Sequence, residues 1–491
     1  MNNPEIIIKE VQNDYKLPIH WRVNKSKTEK EINTDIIHGL GSDSSTFRDL
    51  LLNSIKNAKQ TIMLSSFIIS DEELINELIN AADRKVRIYL LFSTNVQLEK
   101  EFREDPTDFD KKTLNFHRDF LDRIKSKALV RSGNNLHAKF MIIDYGTANQ
   151  KGFISTANFT KEALLRNREL GIKLDNNEDI TKLFYIFQSG FWEESDQQLS
   201  SDVWNPAEKR NLQKIDYNQR LFPTLKGNKT LKQNLIKLIN ETQGQLIASS
   251  YLFYLDNEVS QKIVSESLNR DVIILMRPKE KNRDFAKKVL ENGGKVFAFD
   301  YIHAKFLFAP DNDRAIIMTA NFDDKGLETG YEIGIDLNKE ECIELLKITK
   351  NWIDNAEYLL ENLTNIQNCK NGFIKFWDNM DLKQFEITEE QIEEEKIKIK
   401  DLRELKKYRN ERFKPKKIYD SIIPKKIILR RICHLPTLPE KATKVKENPF
   451  KYPLYKHKNK RFLVLKKQNQ IQEVITNYSN EIKNIKLVVK K

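Results

Sequence analysis

"LHAKFMIID" runs from Leu136 to Asp144, and "IHAKFLFAP" runs from Ile302 to Pro310. His-Ala-Lys-Phe therefore occurs twice in a chain that has only seven histidines. In a strand, residues two apart point to one face. Each copy sets a histidine beside a lysine, His137 with Lys139 and His303 with Lys305, and leaves Phe140, Ile142, Phe306 and Phe308 to fill a core. The first copy ends on Asp144, whereas the second has Pro310 at that position and Asp311 one residue later.

The likeness continues outward. "STANF" at Ser155–Phe159 matches "MTANF" at Met318–Phe322, and the interval from Asn158 to Glu169 equals that from Asn321 to Glu332. "RELGIKL" matches "YEIGIDL", and a helix with a late tryptophan, Trp192 or Trp352, follows each. Upstream, both copies alternate helical and strand periodicity in the same order: "TFRDLLLNSIKN", "TIMLSSF", "DEELINELINAADR" and "VRIYLLF" in one, "LKQNLIKLINETQ", "QLIASSYLF", "NEVSQKIVSESL" and "DVIILM" in the other. Repetition at this scale makes two copies of one α/β unit, over about 42–205 and 226–366. Residues 206–225, with Pro206 and Pro223, form the connection. Residues 1–41 read as a strand-rich extension, and 367–491 as a linker and a basic region that includes a long polar helix over 386–417.

The duplicated residues suit chemistry at phosphorus. A phosphodiester under attack gathers negative charge that fixed cations and amides can stabilise. Lys139, Lys305, Asn158 and Asn321 supply them. One neutral imidazole can attack phosphorus while a second, protonated, gives its proton to the leaving oxygen. Glu169 and Glu332 are candidates to hold the far ring nitrogens. No metal or other cofactor is required.

This pattern resembles the phospholipase D superfamily, whose signature is H-x-K-x4-D followed by a small-residue turn with Asn. The first copy matches at His137, Lys139, Asp144, Thr156 and Asn158, and the second at His303, Lys305, Thr319 and Asn321, with Pro310 replacing the Asp. The likeness spans about 42–366. It implies an α/β fold of two tandem α-β-α sandwich repeats forming one pseudo-symmetric unit. It also implies metal-independent catalysis through a covalent phosphohistidine, with His137 as nucleophile and His303 as general acid. Asp144, Thr156 and Thr319 take supporting roles. With both copies in one chain, catalysis requires no dimer. Ser66-Phe67 and Ser250-Tyr251, at corresponding strand ends, are further candidates to line the site. His20, His38, His117, His434 and His457 read as surface or core histidines.

Charge decides the expected substrate. The chain carries a net charge of +12, but residues 401–491 hold 26 Lys+Arg against 8 Asp+Glu, and the other 400 hold 57 against 63. Tyr408, Phe413, Tyr452, Tyr455 and Phe462 interleave with this basic tail. Basic residues neutralise backbone phosphates and aromatics stack on bases. The expectation is therefore a nuclease acting on DNA rather than RNA, with Lys414, Lys416, Lys417, Arg430, Arg431, Lys456, Lys458, Lys460 and Arg461 as nucleic-acid contacts. By analogy with bacterial nucleases of the superfamily, restriction or anti-phage defence would be its setting, alone or with a partner subunit. The alternatives are a phospholipase D or cardiolipin-synthase-like phosphatidyltransferase, with the tail on an anionic membrane, and a non-catalytic phosphate-binding module. Cys342, Cys369 and Cys433 stand alone, and no apolar run reaches membrane-spanning length, so a cytoplasmic protein is expected.

Overall fold

The computed structural model describes residues 46–104, 111–200, 202–213 and 220–361, with short stretches before 46 and after 361. Two compact units emerge: one holds 28–277 and 281–356, the other the remaining segments.

The first unit contains both repeats. In the first repeat, strands Thr61–Ser65, Arg87–Ser93 and Ala128–Gly133 lie parallel, and Phe140–Ile143, Lys151–Ser155, Glu169–Leu174 and Ile37–Leu40 follow antiparallel beside Thr61–Ser65. The second repeat uses the same order. Leu246–Ser250, Val272–Met276 and Lys295–Ala298 are parallel, and Phe306–Ala309, Arg314–Met318, Glu332–Asp336 and Leu221–Leu225 are antiparallel. Two strands thus fall in segments that lacked a repeat signal: Ile37–Leu40 in the extension, and Leu221–Leu225 in the connection. Both are edge-side strands beside a glutamate strand. They are short, and Pro223 breaks the propensity pattern without breaking the pairing.

One apolar core joins the repeats. Phe140, Ile142, Ile154 and Ile172 from the first sheet and Phe306, Phe308, Ile317 and Ile333 from the second are buried in one cluster. Helices Asn177–Ser189 and Lys339–Asp354 contribute Ile180, Leu183, Ile186, Leu345, Ile348 and Trp352 to it. The apolar stripe on each helix faces that core, so neither repeat closes its core alone. On the opposite face of the first sheet, Phe47, Leu51, Leu78 and Phe120 from helices Thr46–Asn57, Glu72–Asp83 and Lys111–Ile124 form a second cluster.

The other unit has His20–Val23, Tyr358–Glu361, Gly372–Asp378 and Asp381–Ile387 as an antiparallel set. Its five-stranded sheet contains Leu454–His457 and Lys460–Leu465. Lys456, Lys460 and Arg461 lie on these strands. Lys414, Lys416, Lys417, Arg430, Arg431 and Lys458 lie outside the described residues. So does the helix expected over 386–417, except Glu386–Ile387, which end a strand.

Candidate active site

The histidines are positioned by backbone, not by strand ladders. Both strands begin one residue after the lysine, at Phe140 and at Phe306. His137 N and Ala138 N both donate to Tyr331 O, at 3.2 and 2.9 Å, and His303 N and Ala304 N both donate to Arg168 O at 2.9 Å. Each His segment is thus strapped to the residue that precedes the other repeat's glutamate. Ser65 Oγ and Ser249 Oγ fasten the same segments from beneath, through Ala138 O at 2.9 Å and Ala304 O at 2.8 Å.

The straps cross the carboxylates over. His137 Nδ1 lies 2.6 Å from Glu332 Oε1, and His303 Nδ1 lies 2.6 Å from Glu169 Oε1. Thr156 Oγ1 donates to Glu169 Oε2 at 2.5 Å, and Thr319 Oγ1 donates to Glu332 Oε2. Each glutamate therefore holds a threonine of its own repeat and a histidine of the other. In both rings Nδ1 faces the carboxylate, which turns Nε2 the other way.

The histidine and lysine of each copy differ in burial. The His137 and His303 side chains are 20% and 14% exposed, whereas Lys139 and Lys305 are fully buried. Lys139 Nζ donates to His137 O; Lys305 Nζ donates to His303 O at 2.6 Å. The lysines underlie the site, and His137, His303, Asn158, Asn321 and Glu169 line the cavity above, with Phe67 and Tyr251. The Phe67 ring meets His137 and the Tyr251 ring meets His303, each with centroids 5.3 Å apart. Ser250 Oγ sits 3.3 Å from Asn321 Oδ1, which orients that amide. Ser66 Oγ donates instead to Ile68 O at 2.7 Å.

The two His–Glu pairs differ electrostatically. Burial pushes His137 down to about 4; Lys139 and Lys305 push the same way and Glu332 opposes. Burial would raise Glu332, but the adjoining His137 and Lys139 hold it below the usual carboxylate value. Glu169, in contrast, is pushed up to about 7 by burial that Lys305 and Thr156 only partly offset. Burial also holds Lys139 well below an ordinary lysine, against the pull of Glu332.

Asp144 and its replacement serve the frame. Asp144 sits at φ 50° and accepts from Lys59 N at 2.9 Å, Gln60 N at 2.6 Å and Thr61 N at 3.0 Å, tying two strand ends together. In the second repeat Pro310–Asn312 form a 3-10 turn. That turn brings Asp311 Oδ2 to Gln245 N at 2.7 Å and Asn312 Oδ1 to Gln243 N at 3.0 Å. Gly244, at φ +73°, leaves room for the carboxylate. The one-residue shift keeps the function. His20, His38 and His117 are buried, as a core reading expects.

Repeat matching missed Arg166 and Tyr301, which also line the cavity. The other copy has different residues, Thr329 and Asn135, at the corresponding positions, so similarity could not reveal them. Among the described residues no group of His, Cys, Asp and Glu could hold a metal, and no helix is long and apolar enough to cross a membrane.

A family model described as "Cardiolipin synthase, PLD-like domain" matches residues 51–191. Cardiolipin synthase of Listeria monocytogenes serotype 4a (strain HCC23) is 25% identical over 333 residues, covering 61% of this chain and 65% of its own length. Cardiolipin synthase of Staphylococcus aureus (strain Mu50 / ATCC 700699) is 21% identical over 338 residues, covering 61% of this chain and 63% of its own. The chain thus spans somewhat less than two thirds of these relatives. Phosphatidylserine synthase of Haemophilus influenzae Rd KW20 superposes with a TM-score of 0.48 at 14% identity, covering 71% of this chain and 90% of that one.

These relatives overturn the nuclease reading and its nucleic-acid partner, since they bear the names of lipid synthases. The physical reason is that a basic tail is attracted to any polyanion, so its charge could not choose between nucleic acid and an anionic membrane. Residues 51–191 thus carry the likeness to a PLD-like domain, and the resemblance to the phospholipase D superfamily read from the two HAKF copies is supported by these relatives.

Proposed function

We propose that the protein is a phosphatidyltransferase, moving a phosphatidyl group from a phospholipid to an alcohol acceptor. The observation that carries the reading is the crossed pair His137–Glu332 and His303–Glu169 around one cavity, in a chain whose relatives are cardiolipin synthases. At neutral pH His137 is neutral, its Nδ1–H donated to Glu332, so Nε2 holds a lone pair for phosphorus. The elevated Glu169 lets the His303–Glu169 pair carry a further proton near neutrality. That proton goes to the oxygen of the leaving headgroup alcohol as its bond to phosphorus breaks. The phosphatidyl group is then bonded to His137 Nε2. The acceptor hydroxyl returns a proton to His303 and attacks phosphorus, and the P–N bond breaks to free His137. Lys139, Lys305, Asn158 and Asn321 stabilise the non-bridging oxygens; an arriving phosphate favours the charged form of Lys139.

Labelled phosphatidylglycerol vesicles test this. Cardiolipin and free glycerol are expected. His137→Ala should lower turnover by at least about 10³-fold and His303→Ala by about 10²–10⁴-fold. His303→Ala should also let a phosphatidyl-His137 adduct accumulate. Release of no headgroup from any phospholipid would overturn the reading.

A further inference from the structure

The straps make the two halves of the site comparable position by position. Three residues before Glu169 stands Arg166, and three before Glu332 stands Thr329. Two residues before His303 stands Tyr301, and two before His137 stands Asn135. Arg168 corresponds to Tyr331, each lending its carbonyl to the opposite His segment. Two residues beyond the strand partners of Ser65 and Ser249 stand Ser93 and Arg277. At all four positions except where Arg168 meets Tyr331 the bulkier side chain falls on the His303 half, and at three of the four the positive charge does. Arg166, Arg168 and Arg277 are answered on the His137 half by Thr329, Tyr331 and Ser93.

Arg166 is the most exposed of the three arginines. It is exposed, lines the cavity, and lays its guanidinium over the Tyr301 ring at 3.6 Å. Tyr301 is itself 37% exposed, and its carbonyl takes the amide of Arg168 at 2.8 Å. The stack therefore rests on the backbone that sets His303. Glu162 and Glu101 line the same cavity. Stacking leaves the edge of a guanidinium, with its paired N–H donors, directed at solvent, where it suits an oxyanion bidentately. Arg168 lies over the Phe299 ring, and Arg277, buried, lies over the Tyr251 ring.

We propose that Arg166, on its Tyr301 platform, forms an anion subsite on the His303 side that selects an acceptor alcohol carrying its own phosphate. The inference rests on the phosphatidyltransferase reading for its direction. In that mechanism both the leaving and the entering alcohol occupy the His303 side, whereas the transferred phosphate sits between the histidines. A second phosphate on the entering alcohol would meet Arg166. Water or a neutral alcohol would gain nothing from it. Arg166 acts here as a specificity residue.

Two measurements test this on the full chain. In the first, vanadate saturates the phosphate position between the histidines, and glycerol 3-phosphate or glycerol is titrated by calorimetry. Glycerol 3-phosphate should bind beside vanadate, and Arg166→Gln should weaken it about tenfold; glycerol should not discriminate the two proteins. Displacement of vanadate by glycerol 3-phosphate, or equal binding by Arg166→Gln, would overturn the subsite whether or not a lipid is turned over. In the second, phosphatidyl transfer is followed with a phosphorylated and a neutral acceptor. Arg166→Gln should raise KM for the phosphorylated acceptor about tenfold more than for the neutral one, with Arg166→Lys recovering part of the loss. Equal changes for both acceptors would sink the proposal. Absence of transfer in the wild type would count against the phosphatidyltransferase reading, and the titration beside vanadate would then decide the role of Arg166 by itself.

Discussion

His137 and His303 have the same sequence neighbours but different protonation partners. Activity by the proposed route needs His137 unprotonated and a proton on the His303–Glu169 pair. The rate should therefore rise as pH passes about 4, the His137 value, and fall as pH passes about 7, the Glu169 value. A kcat/KM profile checks this, and Glu169→Gln should displace the alkaline limb while lowering the rate. Stability responds with opposite signs. His137, whose value is depressed, binds a proton in the unfolded chain but not in the folded one between about 4 and 6.5, so its contribution grows with pH there. Glu169, whose value is raised, binds a proton in the folded chain but not in the unfolded one between about 4.5 and 7, so its contribution is lost with rising pH. Urea unfolding of Glu169→Gln should accordingly gain stability toward pH 7 relative to wild type. The residue types at these positions were legible from their duplication. Which glutamate serves which histidine was not, because the exchange depends on two backbone straps more than 130 residues apart in sequence.

At the scale of elements, the strand ends and their turns do the positioning. The period-two reading of HAKF placed His and Lys side by side inside the strand. The ladder begins at Phe140 and Phe306 because the preceding amides bond across to the other repeat. Lys139 and Lys305 are fully buried, each donating to the carbonyl of its own histidine. Asp144 and Asp311 give the clearest test of equivalent turns. Asp144→Ala removes a buried acceptor from three amides and should cost about 2–3 kcal/mol in urea unfolding. Asp311→Ala removes one bond at an exposed turn and should cost about 1 kcal/mol. Absence of any loss from Asp311→Ala would contradict this equivalence. Pro310 therefore marks a different turn, not a lost one.

At the scale of the whole molecule, both halves of the site come from one chain and share one core. Specific activity should stay constant on dilution, measured across at least a hundredfold range of protein concentration; a fall that tracks dissociation of a dimer would contradict it. The repeat, the α/β class and the identities of the histidines, lysines, asparagines and glutamates were determined by the sequence, because duplicated spacing is a one-dimensional property. The nuclease reading failed, because net charge is long-ranged and carries no substrate geometry. Only the tertiary structure decided the exchange of glutamates between repeats, the burial of the lysines and the stack of Arg166 on Tyr301. Each of these joins segments far apart in sequence, and only packing of the two sheets around their shared helices brings such segments together.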